Sequence, residues 1–116
     1  MESRAANKSG IVTGTTTGAY VEALRVDTRG YGIAGKLLLI INNTQAAQTM
    51  KYKIDGYPSD VDGTLSGKFI AIKAETSIAA ATQVAQVDVD KGYAAVVVSV
   101  INDGGACTYR IDWTTY

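Results

Sequence analysis

Residues 50–57 alternate without a break, with Met50, Tyr52, Ile54 and Gly56 on one side and Lys51, Lys53 and Asp55 on the other. A period of two sends successive side chains to opposite faces, so the segment reads as a strand with one face in a core and one in water. Residues 107–113 repeat the device: Cys107, Tyr109, Ile111 and Trp113 point one way, Thr108, Arg110 and Asp112 the other. Residues 36–42 and 93–102 are near-continuous runs of Val, Ile and Leu, as expected of central strands covered on both faces. Residues 20–27, 68–74 and 84–89 supply three more strands. The first has an ambiguous phase, because Glu22 shares a side with Tyr20, Leu24 and Val26.

Helical periodicity is nearly absent. Its one competitor is residues 75–85, ETSIAAATQVA, where the alanines favour a turn or two of helix. Thr76, Thr82 and Val84 are weak helix formers and short helices are marginal, so a loop feeding a strand is the preferred reading. About seven short strands punctuated by Gly, Asn, Asp and Pro predict an all-β fold. The expected architecture is an antiparallel β-sandwich, immunoglobulin-like, with a small barrel second. Residues 10–18, GIVTGTTTG, are small and Thr-rich and lose much entropy on ordering. Residues 1–18 are therefore expected to be a flexible N-terminal arm, and residues 19–116 the β-sandwich domain.

The 116 residues suit one domain, and 47% hydrophobic against 19% charged content is enough to build a core. Eleven basic residues balance eleven acidic ones with no basic run, which removes the electrostatic footprint of a nucleic-acid or anionic-membrane binder. No apolar run approaches the roughly 20 residues needed to span a bilayer as a helix. Residues 1–10 carry Glu2, Arg4, Asn7 and Lys8 with no apolar stretch behind them, so they do not read as a secretory signal. There is no His, the commonest general base and metal ligand, and Cys107 is the single cysteine, so no intrachain disulfide can form.

Each motif has a plainer explanation than chemistry. Residues 30–35, GYGIAG, match the dinucleotide fingerprint, but KLLLIIN follows where a helix N-terminus is required, so they read as a turn. Asp60, Asp62 and Gly63 resemble the opening of a calcium loop, yet no Glu closes it twelve positions on. They read as a solvated turn, as do Asp88 and Asp90 before Lys91 and Gly92. Asn42-Asn43-Thr44 is a glycosylation sequon that matters only on a secretory route; otherwise it ends a strand. Cys107 alternates with apolar residues and has no His to activate it, so it reads as a small core residue. No catalytic residue, cofactor site or metal site is expected. Among the aromatics, Tyr52, Tyr109 and Trp113 fall on core faces, leaving Tyr31, Tyr57 and Tyr116 for exposed contacts. The expected core contains Leu37 or Leu38, Tyr52, Ile54, Val98, Ile111 and Trp113.

VDTRGYG at 26–32, KLLLIIN at 36–42, MKYKIDGYP at 50–58 and TYRIDW at 108–113 together resemble small β-sandwich virion proteins of tailed phages, of the capsid-decoration or cement type. The resemblance covers about residues 20–113. It implies a non-enzymatic structural protein in the virion, made in the host cytoplasm. Its partners would be protein subunits of a capsid or tail, in a homo-oligomer or a lattice, with neither nucleic acid nor membrane. Candidate interface residues are Ile11, Val12, Tyr31, Ile33, Tyr57 and Tyr116. The alternative is an immunoglobulin-like binding or adhesion module, for carbohydrate as one case.

Overall fold

A computed structural model describes residues 9–27, 36–57, 69–90 and 95–115. Among these residues eight strands follow one another: β1 (Ser9–Thr15), β2 (Val21–Asp27), β3 (Lys36–Asn43), β4 (Thr49–Tyr57), β5 (Ile70–Ile78), β6 (Gln83–Asp90), β7 (Ala95–Asp103) and β8 (Thr108–Thr115). They form two four-stranded sheets, ordered β1-β8-β3-β6 and β2-β7-β4-β5, with every pairing antiparallel. The first half of the chain pairs with the second in mirror order, β1 with β8, β2 with β7, β3 with β6 and β4 with β5. A long antiparallel hairpin rolled up so that β3 meets β8 and β4 meets β7 is a jelly roll. The expected antiparallel sandwich is therefore present, divided four and four rather than the four and three of a seven-strand immunoglobulin domain.

The core lies between the sheets. Leu37, Leu39, Ile41, Met50, Tyr52, Ile54, Ile78, Val96, Val98, Val100, Cys107 and Ile111 are buried. Each large apolar side chain in that set contributes about 1.5–3 kcal/mol on leaving water. The two continuous apolar runs became β3 and β7, both interior in their sheets, but β3 is covered on one face only, with Leu38 and Ile40 half-exposed on the other. Of the two leucine candidates, Leu37 is in the core and Leu38 is half-exposed on the outside.

The ambiguous phase of β2 is resolved by a bulge. Glu22 opposes Ser99 and Leu24 opposes Val98, so Ala23 is an extra residue that reverses the alternation. Glu22 is thereby exposed while Leu24 and Val26 are buried.

Four expectations are corrected. In residues 75–85 the loop that feeds a strand is shorter than expected: β5 continues to Ile78, and only a tight turn over 79–82 leads into β6. In that turn Ala81 adopts φ 55° and its N–H donates to the Gln45 carbonyl at 2.9 Å. Asp55, expected on a wet face, is 4% exposed, beside the two places where β5 bulges against β4. Trp113 is half-buried at the core margin rather than inside it. The fourth concerns the arm, because Ser9–Thr15 is the edge strand β1, in unbroken register with β8 over seven residues.

The reason is complementarity across the strand pair. Gly10 faces Trp113 and Gly14 faces Tyr109. A Cβ on Gly10 would stand 2.8 Å from Trp113 Nε1, and one on Gly14 would run into the Tyr109 hydroxyl. Bare backbone at these two positions lets β1 lie over the aromatic rings of β8, with Val12 packed against the core between them. The crossover after β1 is also tied down. The Thr16 N–H donates to the Cys107 carbonyl at 2.8 Å, the Cys107 N–H donates to Thr16 Oγ1 at 2.8 Å, and the Thr16 hydroxyl donates to Asn102 Oδ1.

Candidate assembly surface

The two sheets present unlike outer faces. On the β2-β7-β4-β5 sheet the face is charged. Glu22 pairs with Arg25 at 2.8 Å, and Lys51 bridges Glu75 at 3.6 Å and Asp103 at 4.0 Å. Lys53 Nζ lies 4.3 Å from the centre of the Tyr20 ring, and the Tyr20 hydroxyl donates to Glu75. Partial burial first, then the Glu75 carboxylate, pushes the Tyr20 phenol up to about 12. The same hydrogen bond holds the Glu75 carboxyl below the usual carboxylate range. Around Lys51, Lys53 and Glu75 such a network of paired charges is an ordinary solvated surface, whereas Asp55, Val97 and Ala95 farther along the same face are buried.

The outer face of the β1-β8-β3-β6 sheet differs. Its central row, read across the registers, is Ile11, Asp112, Ile40 and Ala85. Ser9, Thr114 and Leu38 lie on one side of that row, and Thr13, Arg110, Asn42 and Gln83 on the other. Among the described side chains the one ion pair on this face is Arg110 with Asp112, two contacts at 2.7 and 3.1 Å, which lowers the Asp112 carboxyl below its ordinary range. Ile11 is 58% exposed, and Leu38, Ile40, Asp112, Trp113 and Thr114 line a shallow depression of about 170 Å³. Among the described side chains, Ile11, Leu38 and Ile40 with the threonines around a single ion pair make a surface less charged than that of the other sheet, the kind of surface that another protein covers.

At one end of the sandwich the loops over 44–48 and 79–82 are locked by Asn43, which is fully buried. Its Nδ2 donates toward the carbonyls of Gln48, Ile78 and Ala79 at 2.8, 3.1 and 3.2 Å, and its Oδ1 accepts the Gln45 N–H at 3.0 Å. Asn43, the middle residue of the sequon, is thus a structural cross-tie, which the motif did not reveal. Cys107 is buried, and that burial pushes its thiol up, away from reactivity. Among the described residues no group of His, Cys, Asp and Glu could hold a metal ion, and no helix is long and apolar enough to cross a membrane.

The structure does not gather the expected interface residues into one place. Ile11 lies on the outer face of β1, whereas Val12 faces the core. Tyr57 ends β4 in the other sheet, with its ring 5.5 Å from that of Phe69. Tyr31, Ile33 and Tyr116 lie outside the described residues, as do the GYGIAG segment and Asp60, Asp62 and Gly63. Asp88 and Asp90, read as part of a turn, belong to β6. Leu38 and Ile40 were missed as surface residues because an unbroken apolar run has no phase to show which half faces outward.

No family model matches the chain, and no curated protein matches it in sequence. Its fold is that of several solved structures. The mitogen derived from Yersinia pseudotuberculosis superposes with a TM-score of 0.61 at 18% identity, over 94% of this chain and 86% of that one. A chain of the Bacillus endospore appendages, described as disulfide-linked pili, gives 0.50 at 11% identity over 99% and 88%. A chain of the infectious bursal disease virus Gt strain gives 0.50 at 10% identity over 99% of this chain and 32% of that one. These likenesses concern the fold alone.

Proposed function

We propose that this is a non-enzymatic structural subunit of a virus particle, bound to neighbouring capsid or tail subunits in a decoration or cement role. The observation that carries the proposal is the contrast between the faces: the β2-β7-β4-β5 sheet carries an ion-pair network, and the β1-β8-β3-β6 sheet shows Ile11, Leu38 and Ile40 around one neutralised pair. Two of the similar folds come from a pilus and a virus, which supports assembly as the kind of role. The tailed-phage decoration role rests on the sequence resemblance. Unlike disulfide-linked pili, subunits of this chain would join without a disulfide, because the single cysteine is buried. Attachment through residues 1–18 belongs to the same proposal. With residues 9–15 inside a sheet, however, deleting all eighteen would strip the cover from Tyr109 and Trp113, so removal of residues 1–8 is the cleaner test.

Co-sedimentation with particles that lack the protein tests the face. The parent should pellet with the particles, and a folded Leu38→Lys/Ile40→Lys variant should stay in the supernatant. Equal binding by that variant, or no binding by the parent, would remove the support for this face. A second reading, a carbohydrate-binding module, has one observation behind it, the Trp113-lined depression. An aromatic wall stacks on sugar rings, and saturable quenching of Trp113 fluorescence by a glycan would favour it.

A further inference from the structure

A sheet edge offers unpaired N–H and C=O groups to any passing strand, and soluble β proteins blunt their edges with charges, prolines and bulges. The four edges here are β1, β6, β2 and β5. β2 contains Glu22, Arg25 and Asp27 and bulges at Ala23. β5 contains Lys73 and Glu75 and bulges twice. β6 contains Asp88 and Asp90, and holds an extra residue between Gln86 and Val89. β1, with the sequence SGIVTGT, has no charge, no proline and no bulge, and its register with β8 is unbroken. Among the described residues three edges are guarded and the fourth is open.

The sequence of β1 also says what fits there. About Val12 it is nearly a palindrome: Gly10 mirrors Gly14, β-branched Ile11 mirrors β-branched Thr13, and Ser9 mirrors Thr15. Paired antiparallel with itself, it sets glycine against glycine, a β-branched residue against a β-branched residue, and hydroxyl against hydroxyl, with no like charges opposed. We infer that β1 pairs antiparallel with β1 of a second copy of this chain across a two-fold axis at Val12, joining two four-stranded sheets into one. The interface is isologous, so it closes on itself and leaves the guarded edges free. Ile11, 58% exposed in one copy, gains cover from the partner's Thr13 on the continuous outer face. The inference rests on the assembly role proposed above and names its first partner.

Sedimentation of the purified full-length chain tests it. The parent should form a concentration-dependent dimer. Ile11→Lys/Thr13→Lys and Ile11→Glu/Thr13→Glu variants each oppose two like-charge pairs across the axis, which should raise the dimer dissociation constant about 10- to 30-fold. An equimolar mixture of the two should restore a dimer containing one of each. Both positions point outward from β1, so each variant should keep the parental thermal midpoint, and that is checked first. A parent that stays monomeric at every concentration, charged variants that dimerise like the parent, or a mixture that stays monomeric would each overturn the inference. A monomeric parent that still pellets with particles would leave the assembly role standing without this interface.

Discussion

Substituting Gly10 by Ala separates a strand from an arm. In a strand, replacing Gly by Ala is intrinsically stabilising by roughly 0.5–1 kcal/mol, because the unfolded chain loses freedom. Here the new methyl would stand 2.8 Å from Trp113 Nε1 and 3.1 Å from Cε2 and Cζ2, closer than side chains pack. Overpacking of this kind costs about 1–3 kcal/mol. Trp113 is half-buried and has room to move outward, so the net loss expected is about 1 kcal/mol, a fall of about 3–6 °C in midpoint for a chain of this size. Urea unfolding of four proteins measures it: the parent, Gly10→Ala, Trp113→Ala and the pair. Once the indole is gone the methyl has nothing to meet, so Gly10→Ala should become neutral or slightly stabilising, a coupling of about 1–2 kcal/mol. A Gly10→Ala protein as stable as the parent, or an equal loss with and without Trp113, would refute the packing of β1 on β8.

Two further outcomes follow from the same geometry. Asn43→Ala should lower unfolding free energy by about 2–3 kcal/mol in a urea titration, since it strands the carbonyls of Gln48 and Ile78 and the Gln45 N–H in a buried site; a loss below about 0.5 kcal/mol would count against the cross-tie. Stability should be level near neutrality and decline as pH rises above about 9, because the Tyr20, Tyr52 and Tyr109 phenols and the Cys107 thiol are all held neutral longer in the fold than in the unfolded chain. The Tyr20 contribution is complete below its ordinary 10.0 and is lost as pH passes about 12, so Tyr20→Phe should flatten the decline, and a urea midpoint constant to pH 11 would contradict this.

Much of the sandwich was legible because its signal is local. The alternation of residues 50–57 and 107–113 placed Tyr52, Ile54 and Ile111 in the core, and the unbroken apolar runs marked β3 and β7 as interior strands. What escaped was set by contact between distant segments. β1 looks like an arm by composition, and its place in the sheet is written only in the match of Gly10 and Gly14, four apart, with Tyr109 and Trp113, four apart in the opposite direction. The alanines of residues 75–85 favour helix locally, yet the Asn43 amide and the Gln45 carbonyl, far off in sequence, fix a hairpin turn there. The phase of β2 needed a bulge, which a strict alternation does not anticipate. Of the candidate surface, Ile11 stood among the interface candidates offered by the sequence, whereas Leu38 and Ile40 required the sheet order to separate inward from outward residues.

A cryo-EM map of the native particle from a producing culture tests the assembly role most directly. The role predicts eight-stranded density at regular lattice positions, with Ile11, Leu38 and Ile40 on the face that meets a neighbouring subunit. A particle that lacks the chain, or one in which that face lies open to solvent while the charged sheet makes the contacts, would contradict it.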